Sequence, residues 1–434
     1  MSPVPPTSSR PLPLLQGAAL NLTARGTTML LGMVILVLVA RLGPLVQGAF
    51  ALFVAIEAAL LALCSGLGLL LAREASQRHG ALPAARVRQL LGTALLLGLL
   101  AALVLAGWAG VARSEPYRHL WLLALVAPAL LLVPTATGLW MGQSRLLALN
   151  LPQLAAPAIV VLILLLLGRA GAASALAVLA AWAAAKGVVG LLSGWVAARD
   201  AYPGVPAPER PLTATAPALR FVLLIGLSNL VSLLNFRATL FLLERVHGLE
   251  SAGVYSVAVQ VAELLWLLSS AVTVSAYGRI GAPDLQRAAQ LTLRAVRINL
   301  LATLAAAPLL AVAAWWLLPR VLGAAYAGAL LPLRLLLPGV AGYAAASSLS
   351  AWFTNQRGRP QWSAAIAGLS LALTLVIAAF TVPRYGAAGA ALATSTAFLI
   401  AIIAALRSFL RDAGLSWRAL WVQPQCPPSS TIPA

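Results

Sequence analysis

About twelve apolar runs, each near the 20 residues that a helix needs to cross a bilayer, leave this chain almost nowhere to be a water-soluble domain. Their cores read Leu14–Ala40, Val46–Leu71, Leu90–Val111, Leu120–Met141, Leu149–Leu167 and Ala173–Ala197. After a proline-rich polar stretch come Leu219–Leu243, Ala252–Ala276, Leu291–Leu318, Ala329–Phe353, Ser363–Val382 and Ala387–Leu406. Backbone polar groups inside hydrocarbon must be satisfied within each run, so runs of this length read as helices. The composition agrees: 9% of residues are charged, against about 25% in ordinary soluble proteins. Interior prolines such as Pro128, Pro157, Pro308 and Pro338 are expected to kink their helices.

The charged residues that do occur are unbalanced, 29 basic against 10 acidic, and Lys186 is the only lysine. In a soluble chain a net charge of +19 would suggest nucleic acid. Here the arginines flank apolar runs, so the partners they imply are lipid headgroups and not nucleic acid. Alternate loops differ sharply. One set carries Arg73, Arg78, Arg86 and Arg88, then Arg145, Arg199 and Arg210, Arg279, Arg287, Arg294 and Arg297, Arg357 and Arg359, and Arg407, Arg411 and Arg418. The other carries only Arg41, Arg113, Arg118, Arg169, Arg245, Arg320 and Arg384. The positive-inside rule places the first set and both termini in the cytoplasm of a bacterial inner membrane. Two bundles are expected, residues 14–198 and 219–410, with a cytoplasmic linker at 199–218, a disordered start at 1–13 and a cytoplasmic tail at 411–434.

The two bundles resemble each other. Gly48-Ala49-Phe50-Ala51-Leu52 aligns with Gly253-Val254-Tyr255-Ser256-Val257, and Gly171-Ala172-Ala173-Ser174-Ala175 with Gly386-Ala387-Ala388-Gly389-Ala390. Six runs per copy is an even number, so the copies share an orientation and form a parallel repeat. In that class of membrane protein a substrate site lies between the halves. The expected fold is an all-α polytopic membrane protein, two pseudo-symmetric six-helix bundles around a central cavity.

Charged and amide groups inside the runs are the candidate site. A charge at bilayer depth costs at least roughly 2.5–3.5 kcal/mol, so it is kept where it meets a partner or a polar interior. Arg25 and Arg237, with Arg334 and Lys186, suit an anionic substrate, because guanidinium groups pair with phosphate oxygens. Asn21 and Asn235 add hydrogen-bonding groups. Glu57 and Glu263 are candidate ion-coupling carboxylates for a proton or sodium. The alternative reading makes the cations structural partners of Glu57 and Glu263, with Lys186 snorkelling to an interface. Trp140 and Trp352 read as interface anchors or as surfaces for sugar. No phosphate-binding P-loop, H-E-x-x-H or paired-cysteine motif occurs, so neither cofactor nor metal is expected.

Ala40-Arg41-Leu42-Gly43-Pro44 with the Gly48 segment, Ala252-Gly253-Val254-Tyr255-Ser256, Asn355-Gln356-Arg357-Gly358-Arg359-Pro360 and Val382-Pro383-Arg384-Tyr385-Gly386 together resemble bacterial polysaccharide flippases of the O-antigen type. These belong to the multidrug/oligosaccharidyl-lipid/polysaccharide exporter (MOP) superfamily. The resemblance implies a non-enzymatic carrier of an undecaprenyl-pyrophosphate-linked oligosaccharide, working by alternating access beside a polysaccharide polymerase and glycosyltransferases. A multidrug exporter of the same superfamily is one alternative. A membrane polymerase or ligase is another, and it would need a sizeable periplasmic loop that this sequence lacks.

Overall fold

The computed structural model describes residues 14–78, 82–201, 216–269, 285–359 and 361–420. Arg210, Arg279, most of the linker, the expected disordered start and the tail beyond residue 420 lie outside them. The described residues are helical almost throughout: α1 (Leu14–Ala40), α2 (Pro44–Gln77), α3 (Ala84–Val111), α4 (Trp121–Leu130), α5 (Leu132–Gly142), α6 (Leu146–Arg169) and α7 (Ala175–Arg199) make the first half. The second half is α8 (Ala216–Glu263), α9 (Leu285–Leu322), α10 (Leu330–Tyr343), α11 (Ala346–Ala351) and α12 (Gln361–Asp412). Ten stretches among the described residues are long and apolar enough to cross a membrane. This is a multi-pass membrane protein.

Two of those stretches cross twice. Helix α8 breaks at Gly248 (φ 82°) and α12 at Gly386 (φ 54°), backbone angles that only glycine adopts without strain. Arg237 and Glu263 lie 26 residues apart yet their side chains meet at 2.7 Å, where a straight helix would hold them about 39 Å apart. Thr381 likewise donates to the Gly389 carbonyl at 2.9 Å across eight residues, a gap of about 12 Å along an unbroken helix. Each is a hairpin, and the expected twelve spans are recovered. The hairpin tips touch where His247 Nε2 meets the Val382 carbonyl at 2.8 Å.

The repeat is visible in the backbone. Gly43 (φ 111°, ψ 160°) opens α2 as Gly248 (φ 82°, ψ 175°) opens the return limb of α8, and Gly171 and Gly386 share positive φ. It is visible in side chains as well. Trp140 donates its indole N–H to Asp200 at 2.9 Å, and Arg145 binds the same carboxylate at 2.5 Å. In the second half Trp352 donates to Asp412 at 2.9 Å, and Arg357 binds it at 2.6 Å. Each clasp joins the ends of two spans on the face where the chain enters, here called the terminal face. Both indoles are buried, so neither tryptophan is an interface anchor. Trp108, Trp121, Trp315 and Trp316, by contrast, are exposed near span ends, as belt residues are.

The halves meet along α2 and α8, where glycines let backbone touch backbone. A Cβ on Gly253 would sit 1.9 Å from the Pro44 carbonyl oxygen, one on Gly48 2.0 Å from that of Leu249, and one on Gly226 2.1 Å from that of Leu63. Polar ties collect on the face opposite the termini: Gln47 to Ser256 at 3.1 Å, Arg41 to the Val321 carbonyl at 3.2 Å, and Tyr117 to Glu244 at 2.8 Å. Burial and the adjacent Glu244 carboxylate hold the Tyr117 phenol above its ordinary value, so that tie stays protonated at neutral pH. Toward the terminal face the halves are joined by Gly66 against Val222, Gly226 against Leu63 and Asn229 to Ser65 at 2.7 Å, all between α2 and the first limb of α8.

The clasps generate a prediction. Asp200→Ala or Asp412→Ala leaves a buried indole N–H without an acceptor, a loss of about 1–3 kcal/mol, read as a lower melting temperature in detergent. Asp→Asn keeps an acceptor and should lose less. An Asp412→Ala protein that melts with the wild type would show that the clasp contributes nothing.

Candidate functional site

Two cavities flank the α2–α8 seam. The first, of about 350 Å³, lies within the first half between α1, α2, α6 and α7, and Gln260 of α8 closes it from the second half. Glu57 stands in its wall, 2% exposed. One carboxylate oxygen accepts the indole N–H of Trp182, and the other faces Lys186 Nζ at 3.0 Å. The ammonium also sits 4.8 Å from the centre of the Trp182 ring. A helix can supply this arrangement because Trp182 and Lys186 are four residues apart on α7 and so share a face.

The second cavity, of about 260 Å³, lies on the other side of the seam between α2 and the two limbs of α8. Arg237 and Glu263 line it and form a two-pronged pair, Nη1 to Oε1 at 2.7 Å and Nη2 to Oε2 at 3.1 Å. Gln260 lines this cavity too. One amide therefore stands between two ion pairs, each made of a cation and a carboxylate. Each pair matches one cation with one carboxylate, Lys186 with Glu57 and Arg237 with Glu263.

The remaining candidates are placed elsewhere. Arg25 is exposed on α1 and Arg334 is exposed on α10, and neither lines the two cavities. Asn21 accepts from Asn150 of α6 at 2.6 Å. Asn235 is buried and donates to Tyr343 at 3.4 Å, while its carbonyl oxygen has no partner. Of the structural pairings considered from sequence, the one between Arg237 and Glu263 forms. Glu57 is met by Lys186 at 3.0 Å and not by Arg25, which is exposed on α1. Among the described residues no group of three or more His, Cys, Asp or Glu is placed to hold a metal.

A third cavity was not anticipated. It occupies about 400 Å³ inside the second half, with five serines in its wall, Ser232, Ser269, Ser347, Ser350 and Ser363. Aromatic rings complete it: Phe236 packs edge-on against Trp266 at 5.0 Å and against Tyr343 at 5.8 Å. The signal in the sequence is Ser347-Ser348-x-Ser350, a polar break in an apolar run.

A family model described as polysaccharide biosynthesis protein matches residues 14–277, more than half of the chain. The chain belongs to that family. No curated protein sequence matches it. Among solved structures, this family member is similar to an inward-facing multidrug resistance MATE family transporter of the MOP superfamily. That likeness has 17% identity and a TM-score of 0.69, covering 91% of this chain and 95% of the other. It is similar to an outward-facing structure of such a transporter at 17% identity and TM-score 0.66, over 94% and 96%. A MOP superfamily transporter from Pyrococcus furiosus, reported to have a binding pocket of reversed polarity, matches at 16% identity and TM-score 0.62, over 92% and 95%. The polysaccharide biosynthesis family member thus has the MOP fold, and the resemblance read from its sequence is borne out at the level of family and fold.

The Glu57–Lys186 pair yields a test. Lys186→Met strands a buried carboxylate, at a cost on the order of 3 kcal/mol, reduced because a quarter of the lysine side chain is exposed. Adding Glu57→Gln should restore part of the loss, measured as melting temperature in a double-mutant cycle. Additive losses would mean that the two side chains do not interact.

Proposed function

We propose that this protein is a flippase that carries an undecaprenyl-pyrophosphate-linked oligosaccharide from the cytoplasmic to the periplasmic leaflet of a bacterial inner membrane. The observation that carries the reading is the seam itself: two cavities with an ion pair each, on either side of one contact between half-bundles, in a chain of the polysaccharide biosynthesis family. The terminal face, rich in arginine, is the cytoplasmic one in this reading.

Charge balance suggests the coupling. With Glu263 ionised, Arg237 is occupied. A proton on Glu263 releases the guanidinium fork for a pyrophosphate, and loss of that proton lets the carboxylate expel the anion. Glu57 and Lys186 can work the same exchange. Arg25, exposed on α1, is the first cation on the path from the inner leaflet, and Arg334 and Asn21 serve as further contacts. The serine and aromatic wall of the third cavity, beside Asn235, offers hydroxyls and ring faces of the kind that hold sugars. Polymerase and glycosyltransferases are its expected partners. The polysaccharide family match favours this cargo over a drug.

Flipping of labelled lipid-linked oligosaccharide in proteoliposomes tests the proposal. Arg237→Ala should slow it at least tenfold through lost binding, and Glu263→Gln should slow it while leaving binding intact. Wild-type rates in both variants would sink the assignment. The alternating movement has its own test, in a background lacking Cys64 and Cys426. Ser65→Cys with Asn229→Cys, which replace a 2.7 Å hydrogen bond across the seam, should cross-link on oxidation. If the seam does not open in the cycle, the cross-linked protein will transport normally.

A further inference from the structure

The duplicated clasp provides an internal control that isolates a second, unassigned site. In the first half α6 begins at Leu146, directly after the clasp arginine Arg145. In the second half three residues, Gly358-Arg359-Pro360, intervene between Arg357 and the start of α12 at Gln361. The extra turn is built: Gly358 has φ 61° and the Arg359 N–H donates to the Phe353 carbonyl at 2.8 Å. It sets Arg359 beside Arg411, one residue before the clasp aspartate, on the wall of a pocket of about 350 Å³. Phe353 and Trp362 line the same pocket, stacked at 5.7 Å with 19° between their planes. The residue one step into the following helix is Leu147 in the first half and Trp362 in the second.

Charge is not balanced there. Asp412 is committed to Arg357, whose guanidinium donates to both its side chain and its main-chain carbonyl. Arg359 and Arg411 are exposed and have no carboxylate partner among the described residues. Arg199, the counterpart of Arg411, lies over the Trp195 ring at 4.6 Å in the first half. The clasp thus accounts for Trp352, Arg357 and Asp412, and leaves two cations and the half-exposed Trp362 ring, which stacks on the core residue Phe353.

We propose that this pocket on the terminal face binds a diphosphate that carries a sugar, its oxygens on Arg359 and Arg411 and its ring against Trp362. The same chemistry belongs to a lipid-linked sugar diphosphate waiting in the inner leaflet and to a soluble nucleoside diphosphate sugar. The pocket lies apart from the seam, and Phe353 separates it from the serine-lined cavity, whose wall it also forms. The inference relies on the flippase reading only for the side of the membrane on which the terminal face lies.

Equilibrium binding to the full-length protein in nanodiscs tests this independently of transport. The probes are a polyprenyl diphosphate sugar, UDP-glucose and inorganic pyrophosphate, with phosphatidylglycerol as the generic anionic lipid. Arg359→Gln with Arg411→Gln should weaken binding of at least one diphosphate more than tenfold. Arg407→Gln, on the same helix and outside the pocket, should leave it unchanged, and Glu263→Gln should slow transport but keep this binding. Retention by the lipid-linked probe alone identifies the lipid as the ligand, and equal competition by UDP-glucose identifies the soluble form. The proposal is overturned if the double variant binds like wild type, if Arg407→Gln weakens binding equally, or if phosphatidylglycerol competes as well as the diphosphates. Melting temperatures of the variants separate loss of the site from loss of the fold.

Discussion

Backbone-to-backbone contact between α2 and α8 is the constraint on which this molecule depends. Glycine at Gly48, Gly66, Gly226 and Gly253 removes the side chains that would hold the two helices apart. The helices then run close enough that one residue, Gln260, lines cavities on both sides. A wider seam would merge the two cavities into one cleft and let water reach both ion pairs. A seam of this kind is also inexpensive to open, since packing of small residues in a membrane gains only dispersion and a few weak hydrogen bonds. Close approach and easy separation come from the same residues.

Much of this architecture is legible in the sequence because membrane spans are written in hydropathy. The spans and the internal repeat can be located without coordinates. Partner choice is another matter. A charged residue within an apolar run signals that a partner exists, but not on which helix. Arg237 finds Glu263 because the hairpin at Gly248 brings the two limbs together, which the 26-residue separation hides. Glu57 finds Lys186 on a helix that begins more than a hundred residues later. Arg86, which reads as a loop arginine, is 2% exposed and holds Glu74 with two charge-assisted bonds.

The clasps leave a mark in the sequence that the span-end rule for tryptophan hides. Trp140 and Arg145 are spaced as Trp352 and Arg357 are, and in each half an aspartate follows the tryptophan by 60 positions. In a chain with only three aspartates that coincidence is a strong signal. Reading tryptophans near span ends as interface anchors concealed it, because the rule that favours the interface applies to exposed indoles. Trp315 and Trp316 obey it; the clasp tryptophans are consumed by packing and a hydrogen bond.

The position of the clasps also bears on how the protein is assembled at the translocon. Asp200 caps the last helix of the first half, so its clasp can close once that half has been inserted, without waiting for the second bundle. The second cannot close until Asp412, at the end of the final helix, has been made. Domains of large proteins commonly fold in order of synthesis, and each latch here marks the completion of one bundle. A chain cut short before α12 would therefore leave a finished first bundle beside a second one that has no latch.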